Sequence, residues 1–308
     1  MKRLPDAGVP PEPVRAPTVK LGNRGDFMLL NTITAEPAAA QRWGADSAYG
    51  RLRRVLLSPP PVHDDWHHTA EYEHLALREA LVAEGVEVEL APSWAERADM
   101  PFTRDPLLMT PWGLMELAMQ APARRGEETR LREHVESLHV PVAGRVGQGH
   151  VEGGDVSIVR PGLLVVGYSG ERTTLEGARS LARTFEQHGW RSYFHAFDPK
   201  HLHLDLLFTV IGKDEAVACK ALLGPEFCAK MESYGISLID VTPEEKEGFA
   251  CNLLGLGDKR VISVAGHERL NGELRRRGYR VIERQVSAFT ANRGAVHCMT
   301  CELARDPG

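Results

Sequence analysis

Four polar clusters interrupt apolar stretches of this sequence, and each carries groups that can do chemistry. They are Phe102-Thr103-Arg104-Asp105, Glu152-Gly153-Gly154-Asp155, His203-Leu204-Asp205 and Arg293-Gly294-Ala295-Val296-His297-Cys298. Burying carboxylate, imidazole and thiol groups at strand ends is costly unless they have a task. Together they are the parts needed to attack a cationic carbon, because carboxylates bind the cation, a thiolate attacks it and an imidazole moves protons.

Each cluster taken alone also has an ordinary structural explanation. Glu152 to Asp155 fits a tight turn, Asp105 fits a turn cap before Pro106, and His203 fits a hydrogen-bonded core histidine. The presence of all four clusters in one chain favours a catalytic site over these explanations.

Three further groups contain residue types that bind metal ions. Cys298 and Cys301 resemble half of a zinc site, but no second C-x-x-C motif is present. The segment His63 to His68 follows three prolines and fits a solvated loop better. His201 and His203 would share one face of a strand, which suits either a metal site or one catalytic histidine beside a bystander. The chemistry above needs neither a metal nor a cofactor, so we expect none.

Composition and charge favour a small-molecule substrate. The 308 residues carry 37 Lys+Arg and 42 Asp+Glu, a net charge of −5, which leaves no large basic surface for nucleic acid. Phosphate-loop, dinucleotide, G-x-S-x-G and H-E-x-x-H motifs are absent from the sequence. No apolar run approaches the roughly 20 residues of a membrane span, and the N-terminus has no apolar signal core. We therefore expect a cytoplasmic protein without membrane contact, whose five cysteines are free thiols.

Short strands alternate with short helices from residue 51 onward, which indicates an α/β or mixed α+β architecture. The proline-rich start predicts a partly extended N-terminal arm over residues 1–50 and a single catalytic domain over 51–308. The pattern predicts strands at 52–58, 86–90, 162–167, 206–211 and 259–265, and helices at 71–84, 174–188, 215–223 and 268–277.

The order of the motifs resembles that of the arginine deiminases, members of the guanidino-group modifying superfamily that also holds dimethylarginine dimethylaminohydrolases and amidinotransferases. The resemblance covers roughly residue 51 to the C-terminus. It implies the pentein β/α propeller, an α/β fold of five ββαβ-like units with pseudo-fivefold symmetry and an active site at the central channel. The matching segments are FTRDP at 102–106, EGGD at 152–155, GERTT at 170–174, HLD at 203–205, HCMTC at 297–301 and RDP at 305–307.

The resemblance also implies residue roles. It makes Cys298 the nucleophile, His203 the general acid and base, and Glu152 the carboxylate that orients His203. Asp105 and Asp205 would clamp the planar guanidinium through charge-assisted hydrogen bonds. The implied reaction passes through a covalent thiouronium on Cys298 and converts L-arginine to citrulline and ammonia.

Three arginines, Arg124, Arg172 and Arg293, stand where arginine deiminases hold the substrate α-carboxylate. Two departures bear on the substrate and on assembly. Asp99-Met100-Pro101 stands where the family usually has a Pro-Asn pair, and a carboxylate there would repel a substrate α-carboxylate. The stretch from Leu90 to Phe102 is too short for the helical insertion of full-length arginine deiminases. Assembly into a homo-oligomer stays open, since it cannot be inherited through that missing domain.

Three alternatives remain open at this point. A dimethylarginine dimethylaminohydrolase would use the same nucleophile, although such enzymes usually lack the aspartate two residues after the histidine. An amidinotransferase would share the first half-reaction and pass the amidino group to an amine. A non-catalytic protein that binds guanidino compounds is disfavoured because the catalytic set is complete.

Overall fold

The computed structural model describes residues 43–62, 66 and 68–308. Most of the predicted N-terminal arm and most of the His63 to His68 segment lie outside the described residues. Residues 43–50, which the sequence analysis assigns to the arm, pack on the catalytic unit: Trp43 and Ala45 are buried, and Gly44 bridges Ala304. The folded unit therefore includes these eight residues.

Fifteen strands and seven α-helices make up the described part of the chain. The strands are β1 Leu52–Leu57, β2 Glu87–Leu90, β3 Leu107–Thr110, β4 Gly113–Glu116, β5 Val142–Arg145, β6 Val156–Arg160, β7 Leu163–Tyr168, β8 Arg191–Ala196, β9 Phe208–Gly212, β10 Glu215–Ala218, β11 Ser237–Asp240, β12 Leu254–Gly257, β13 Arg260–Val264, β14 Arg280–Arg284 and β15 Cys301–Arg305. The helices are α1 Ala70–Ala83, α2 Glu127–Ser137, α3 Leu175–Glu186, α4 Lys220–Ser233, α5 Pro243–Glu247, α6 Glu268–Arg276 and α7 Ser287–Ala291. None of these helices is long and apolar enough to cross a lipid bilayer.

The strands form five separate three-stranded sheets of one repeated design. The sheets are β3-β4-β5, β6-β7-β8, β9-β10-β11, β12-β13-β14 and β15-β1-β2. In each sheet the middle strand is antiparallel to the first and parallel to the third, and a helix connects the second strand to the third. This confirms the predicted fold of five ββαβ units. The last unit is closed by both ends of the folded chain, since β15 pairs with β1.

The helix between the second and third strands of each unit packs apolar side chains against the sheet of that unit. In α3, Ala178, Leu181, Ala182 and Phe185 recur at helical spacing and are buried against β7, whose strand is apolar almost throughout. In each unit a buried polar residue lies in the loop that precedes the first strand of the sheet. The fold therefore brings five loops together near the pseudosymmetry axis.

Two local predictions are wrong. Residues 215–223 were predicted as one helix, but Glu215–Ala218 is strand β10 and the helix begins only at Lys220. Strand pairing with β9 across a tight turn prevails there over the helix preference of an alanine-rich segment. His201 and His203 do not share a strand face, because they lie in and beside two short 3₁₀ turns.

Candidate active site

All five units contribute a polar residue from the loop before their first strand. Asp105 precedes β3, Glu152 precedes β6, Asp205 precedes β9, Asn252 precedes β12 and Cys298 precedes β15. All five are at least 96 % buried. Equivalent positions in a pseudosymmetric fold thus converge on one small volume.

His203 lies at the centre of a carboxylate cage. Its Nε2 is 2.9 Å from Glu152 Oε2, and its Nδ1 is 3.6 Å from Asp105 Oδ1. Burial opposes the charged imidazolium, but Asp105, Asp155 and Glu152 outweigh burial and raise the pKa of His203. Burial would also raise the pKa of Glu152, yet its hydrogen bond with His203 lowers it. The ring is therefore an imidazolium at neutral pH, ready to act as an acid.

The two glycines of the 152–155 segment are required by close packing. A Cβ on Gly153 would lie 2.1 Å from the Arg104 carbonyl oxygen, and one on Gly154 would lie 2.8 Å from the His203 ring. The Gly154 N–H also donates to Asp105 Oδ1 at 3.2 Å. The segment is thus a platform under the imidazole rather than only a turn.

Asp105 is fixed by a buried ion-pair network. Arg124 donates to Asp105 Oδ2 at 2.5 Å and to Glu127 Oε2 from Nε at 3.0 Å and Nη2 at 2.8 Å. Its Nη2 also donates to the Phe102 carbonyl. Burial raises the pKa of Glu127 to about 7 against the opposing effect of Arg124. Most of the five N–H donors of Arg124 therefore form hydrogen bonds within the protein and are not available to a substrate.

Cys298 lies in a tight turn whose neighbours Ala295, Val296 and Met299 are packed in the apolar core. Its Sγ is 3.4 Å from Asp205 Oδ2 and 3.1 Å from Asn252 Nδ2. Burial, with the negative charges of Asp205 and Asp105, raises the pKa of the Cys298 thiol well above its ordinary value. The sulfur is therefore a thiol when no cation occupies the site.

His297 fixes the position of Asp205 by a hydrogen bond, in which Nδ1 donates to Asp205 Oδ2 at 2.8 Å. Burial lowers the pKa of His297, so this ring is a neutral donor. Burial alone would raise the pKa of Asp205, but the hydrogen bond from His297 lowers it and keeps the carboxylate charged. Among the described residues, Asp205 Oδ1 has no hydrogen-bond partner. Asp205 thus keeps one oxygen, Oδ1, free to accept a further hydrogen bond.

A cleft leads from solvent to Cys298; its empty space, including the part open to solvent, is about 480 Å³. Arg172 lies on its wall and donates to Glu152 Oε2 at 3.0 Å. Arg293 is exposed, with a left-handed backbone (φ 68°), and in the described part of the chain its guanidinium contacts no carboxylate. The lining residues are Asp99, Phe102, Asp105, Arg124, Arg172, Leu202, His203, Asn292, Arg293, Gly294 and Cys298.

The eight site residues predicted from sequence converge on this region. Seven belong to the cleft wall or contact it directly, while Asp205 lies beneath the sulfur and borders an inner cavity with His297 and Arg104. One metal-compatible group also lies here: ligand atoms of Asp105, Glu152 and His203 are within 4.8 Å of one another, a set that belongs to the same cage.

Sequence reasoning missed three residues that hold this site: Asn252, His297 and Glu127. Asn252 is a lone amide in the apolar run Cys251-Asn252-Leu253-Leu254, and its place before β12 matches that of the charged clusters before the other first strands. His297 is predicted only as part of the Arg293 to Cys298 cluster, with no role of its own. In the sequence, Glu127 resembles any acidic residue in the first turn of a helix, where it would interact with the helix dipole.

Comparison with known proteins identifies the family of the chain. Residues 62–305 match the family model described as N,N dimethylarginine dimethylhydrolase, eukaryotic. The dimethylarginine dimethylaminohydrolase of Pseudomonas aeruginosa is 32% identical over 231 residues, covering 74% of this chain and 86% of that protein. The arginine deiminase of Rhodococcus erythropolis is 28% identical over 234 residues, covering 63% of this chain and 56% of that enzyme.

The structural comparison covers the same region. A solved structure of the Pseudomonas aeruginosa dimethylarginine dimethylaminohydrolase in complex with citrulline superimposes with a TM-score of 0.71 at 28% identity, covering 82% of this chain and 99% of that one. The chain therefore belongs to the dimethylarginine dimethylhydrolase family of the guanidino-group modifying superfamily, and is a hydrolase that acts on guanidino C–N bonds.

Proposed function

We propose that this hydrolase converts L-arginine to L-citrulline and ammonia. The observation that carries the proposal is the pair of buried carboxylates beside the nucleophile: Asp205 Oδ2 is 3.4 Å from Cys298 Sγ, and Asp105 lines the cleft in front of it. Two carboxylates accept N–H donors from both terminal nitrogens of an unsubstituted guanidinium. A dimethylated nitrogen has no N–H to offer and adds two methyl groups beside a charge.

Binding of the cation prepares the nucleophile. The positive guanidinium offsets the charges of Asp105 and Asp205, which together with burial hold Cys298 as a thiol. The Sγ proton is then released to solvent and the thiolate attacks the guanidino carbon. A C–S bond forms, and the π electrons of the C–N double bond move onto nitrogen to give a neutral tetrahedral adduct.

His203 then acts as the acid. Its imidazolium donates a proton to one amino group of the adduct, the C–N bond breaks, and ammonia leaves a thiouronium bound to Cys298. Glu152, 2.9 Å from Nε2, stabilises the ring in both protonation states.

Hydrolysis uses the same ring as a base. Neutral His203 takes a proton from water while the hydroxide adds to the thiouronium carbon. The C–S bond breaks, the hydroxyl proton passes to the departing sulfur, and the ureido product is released. His203 is again an imidazolium and Cys298 again a thiol.

The arginines at the cleft suit an amino-acid tail. Arg172 and Arg293 supply positive charge for an α-carboxylate, and Arg124 adds the remaining N–H of the Nη1 that holds Asp105. The substrate partner is thus a free guanidino amino acid. The α-amino group has an acceptor in Asp99, which lines the same cleft.

The test measures kcat/KM for L-arginine, Nω,Nω-dimethyl-L-arginine and agmatine side by side. The products to follow are citrulline and ammonia from arginine, citrulline and dimethylamine from dimethylarginine, and N-carbamoylputrescine and ammonia from agmatine. Charge-assisted contacts contribute roughly 1.5 to 3 kcal/mol each, so we expect L-arginine to exceed each of the others by at least about tenfold. Faster turnover of dimethylarginine would identify the protein as a dimethylarginine dimethylaminohydrolase. Equal turnover of agmatine and arginine would show that the three arginines do not bind a substrate carboxylate.

Two cysteine variants test the nucleophile. Cys298→Ser should lose turnover while remaining folded, since a serine hydroxyl is not ionised as a thiolate is. Cys301→Ser is the matched control, because Cys301 is equally buried but packs in a different apolar cluster. Equal loss in both variants would contradict the assignment. Transfer of the amidino group to an added amine, in place of citrulline formation, would indicate an amidinotransferase.

A further inference from the structure

Asn252 is the residue that the β12-β13-β14 unit contributes to the site. Its side chain is fully buried, and it makes three hydrogen bonds with the turn that carries the nucleophile. Oδ1 accepts from the backbone N–H of His297 at 3.1 Å and of Cys298 at 3.2 Å. Nδ2 donates to Cys298 Sγ at 3.1 Å.

These contacts determine which way the amide points. Two backbone N–H groups can be satisfied only by an acceptor, so the atom facing them is the carbonyl oxygen. The NH₂ group must then face the sulfur. Among the described residues, Asn252 is the one side chain that donates a hydrogen bond to Sγ, whereas Asp205 presents a negative acceptor on another side.

A donor in this position favours the negative form of sulfur over the neutral one. A hydrogen bond to an ionised acceptor is about twice as strong as one between neutral groups. The reaction places negative charge on this sulfur twice, once before attack and once when the C–S bond of the hydroxyl adduct breaks, before the sulfur takes up the hydroxyl proton. The same N–H group therefore acts in both half-reactions.

We propose that Asn252 is a further catalytic residue, whose amide N–H stabilises the Cys298 thiolate as nucleophile and as leaving group. The proposal rests on the function proposed above for Cys298. Because the hydrogen bonds of Asn252 are made to the Cys298 turn and its neutral amide offers no charge to the substrate cation, its loss should lower kcat and leave KM nearly unchanged. A residue that only braced the turn would not act through the ionisation of the thiol.

Two variants distinguish the N–H donation to the sulfur from the hydrogen bonds that hold the turn. Asn252→Asp keeps an acceptor for both backbone N–H groups but removes the donor, and Asn252→Ala removes both functions without adding charge. The matched control is Asn271→Asp, because Asn271 is also fully buried but bonds Ser263 in another part of the same unit. Circular dichroism and thermal melts establish which variants fold.

The readouts are kcat and KM for L-arginine, and the pH dependence of Cys298 alkylation by iodoacetamide, located by mass spectrometry. We expect kcat to fall about ten- to a hundredfold in both Asn252 variants, the size of a hydrogen bond to a charged group, with the alkylation midpoint about one pH unit or more higher. The control should match the parent protein in both measurements.

A folded Asn252→Asp protein with parental kcat and alkylation profile would overturn the proposal, and so would an Asn252→Ala protein that loses stability alone. Failure of the proposed function has a different signature. In that case Cys298→Ser would stay active or arginine would not be turned over, while the alkylation midpoint would still report whether Asn252 acts on the sulfur.

Discussion

Replacing Asp205 by asparagine should make Cys298 more reactive and the enzyme less active at the same time. Asn keeps the shape of the side chain and an acceptor for the His297 ring, but removes the negative charge 3.4 Å from Sγ. The free thiol is held neutral partly by that charge. In the proposed mechanism the substrate, in contrast, needs this charge as one side of its clamp.

The distance gives the size of the first effect. Two unit charges 3.4 Å apart interact by roughly 5 kcal/mol at an effective dielectric constant of about 20. That energy corresponds to between three and four pKa units, an upper limit because neighbouring dipoles reorient when the charge is removed. We expect the pKa of Cys298 to fall by one to three units. Loss of one charge-assisted clamp contact should lower kcat/KM for L-arginine by about ten- to a hundredfold.

The assay follows the rate of Cys298 alkylation by neutral iodoacetamide against pH, with kcat/KM measured on the same preparations. Because the thiol pKa is raised in the parent protein, alkylation should be slow at neutral pH and should increase as pH rises. The Asp205→Asn curve should be displaced to lower pH. An unchanged midpoint, or a variant whose kcat/KM for arginine is not reduced, would refute this account of the carboxylate.

Three other predictions address the platform, the activation step and the absence of a metal requirement. Gly154→Ala should lower kcat at least about tenfold in a folded protein, because the added Cβ would lie 2.8 Å from the His203 ring. The control Gly147→Ala should behave as the parent, since no atom lies within 4 Å of a Cβ there. Equal activity of the two variants would show that the ring has room to move. A cationic haloacetamidine should inactivate the parent at neutral pH far faster than iodoacetamide does, and Asp105→Asn should remove most of that advantage; equal inactivation rates in the parent would contradict activation by the cation. Dialysis against a chelator should leave the turnover of arginine unchanged, and activity that zinc restores would point instead to the Asp105, Glu152 and His203 group as a metal site.

The sequence predicts the charged part of the site because charge is conspicuous in an apolar context. Asp105, Glu152 and His203 each interrupt an apolar stretch just before a strand, and the motifs around them resemble one superfamily. The five-unit fold follows from that resemblance, since strand and helix periodicity alone leaves the strand order undetermined. Local periodicity fails at 215–223, where pairing between β9 and β10 decides the structure.

What the sequence does not predict is how side chains divide their hydrogen bonds. Arg124 is expected to face the substrate carboxylate, yet most of its donors hold Asp105 and Glu127. Asn252 carries no charge and belongs to no motif, so only its position before β12 connects it to the site. Such roles depend on distances across the pseudosymmetry axis, between residues that are far apart in the chain.

In the proposed mechanism, the same carboxylates that bind the substrate also control activation of the nucleophile. In the free protein the buried carboxylates hold Cys298 as a thiol and His203 as an imidazolium, so the nucleophile is inactive while the acid is ready. Only a planar cation placed between Asp105 and Asp205 offsets both charges, and the same placement brings the guanidino carbon to the sulfur. A neutral urea of the same shape gains no such interaction and does not promote loss of the thiol proton. Release of the neutral ureido product therefore follows from the same electrostatics, because the carboxylates that bound the cation no longer have a charge to hold.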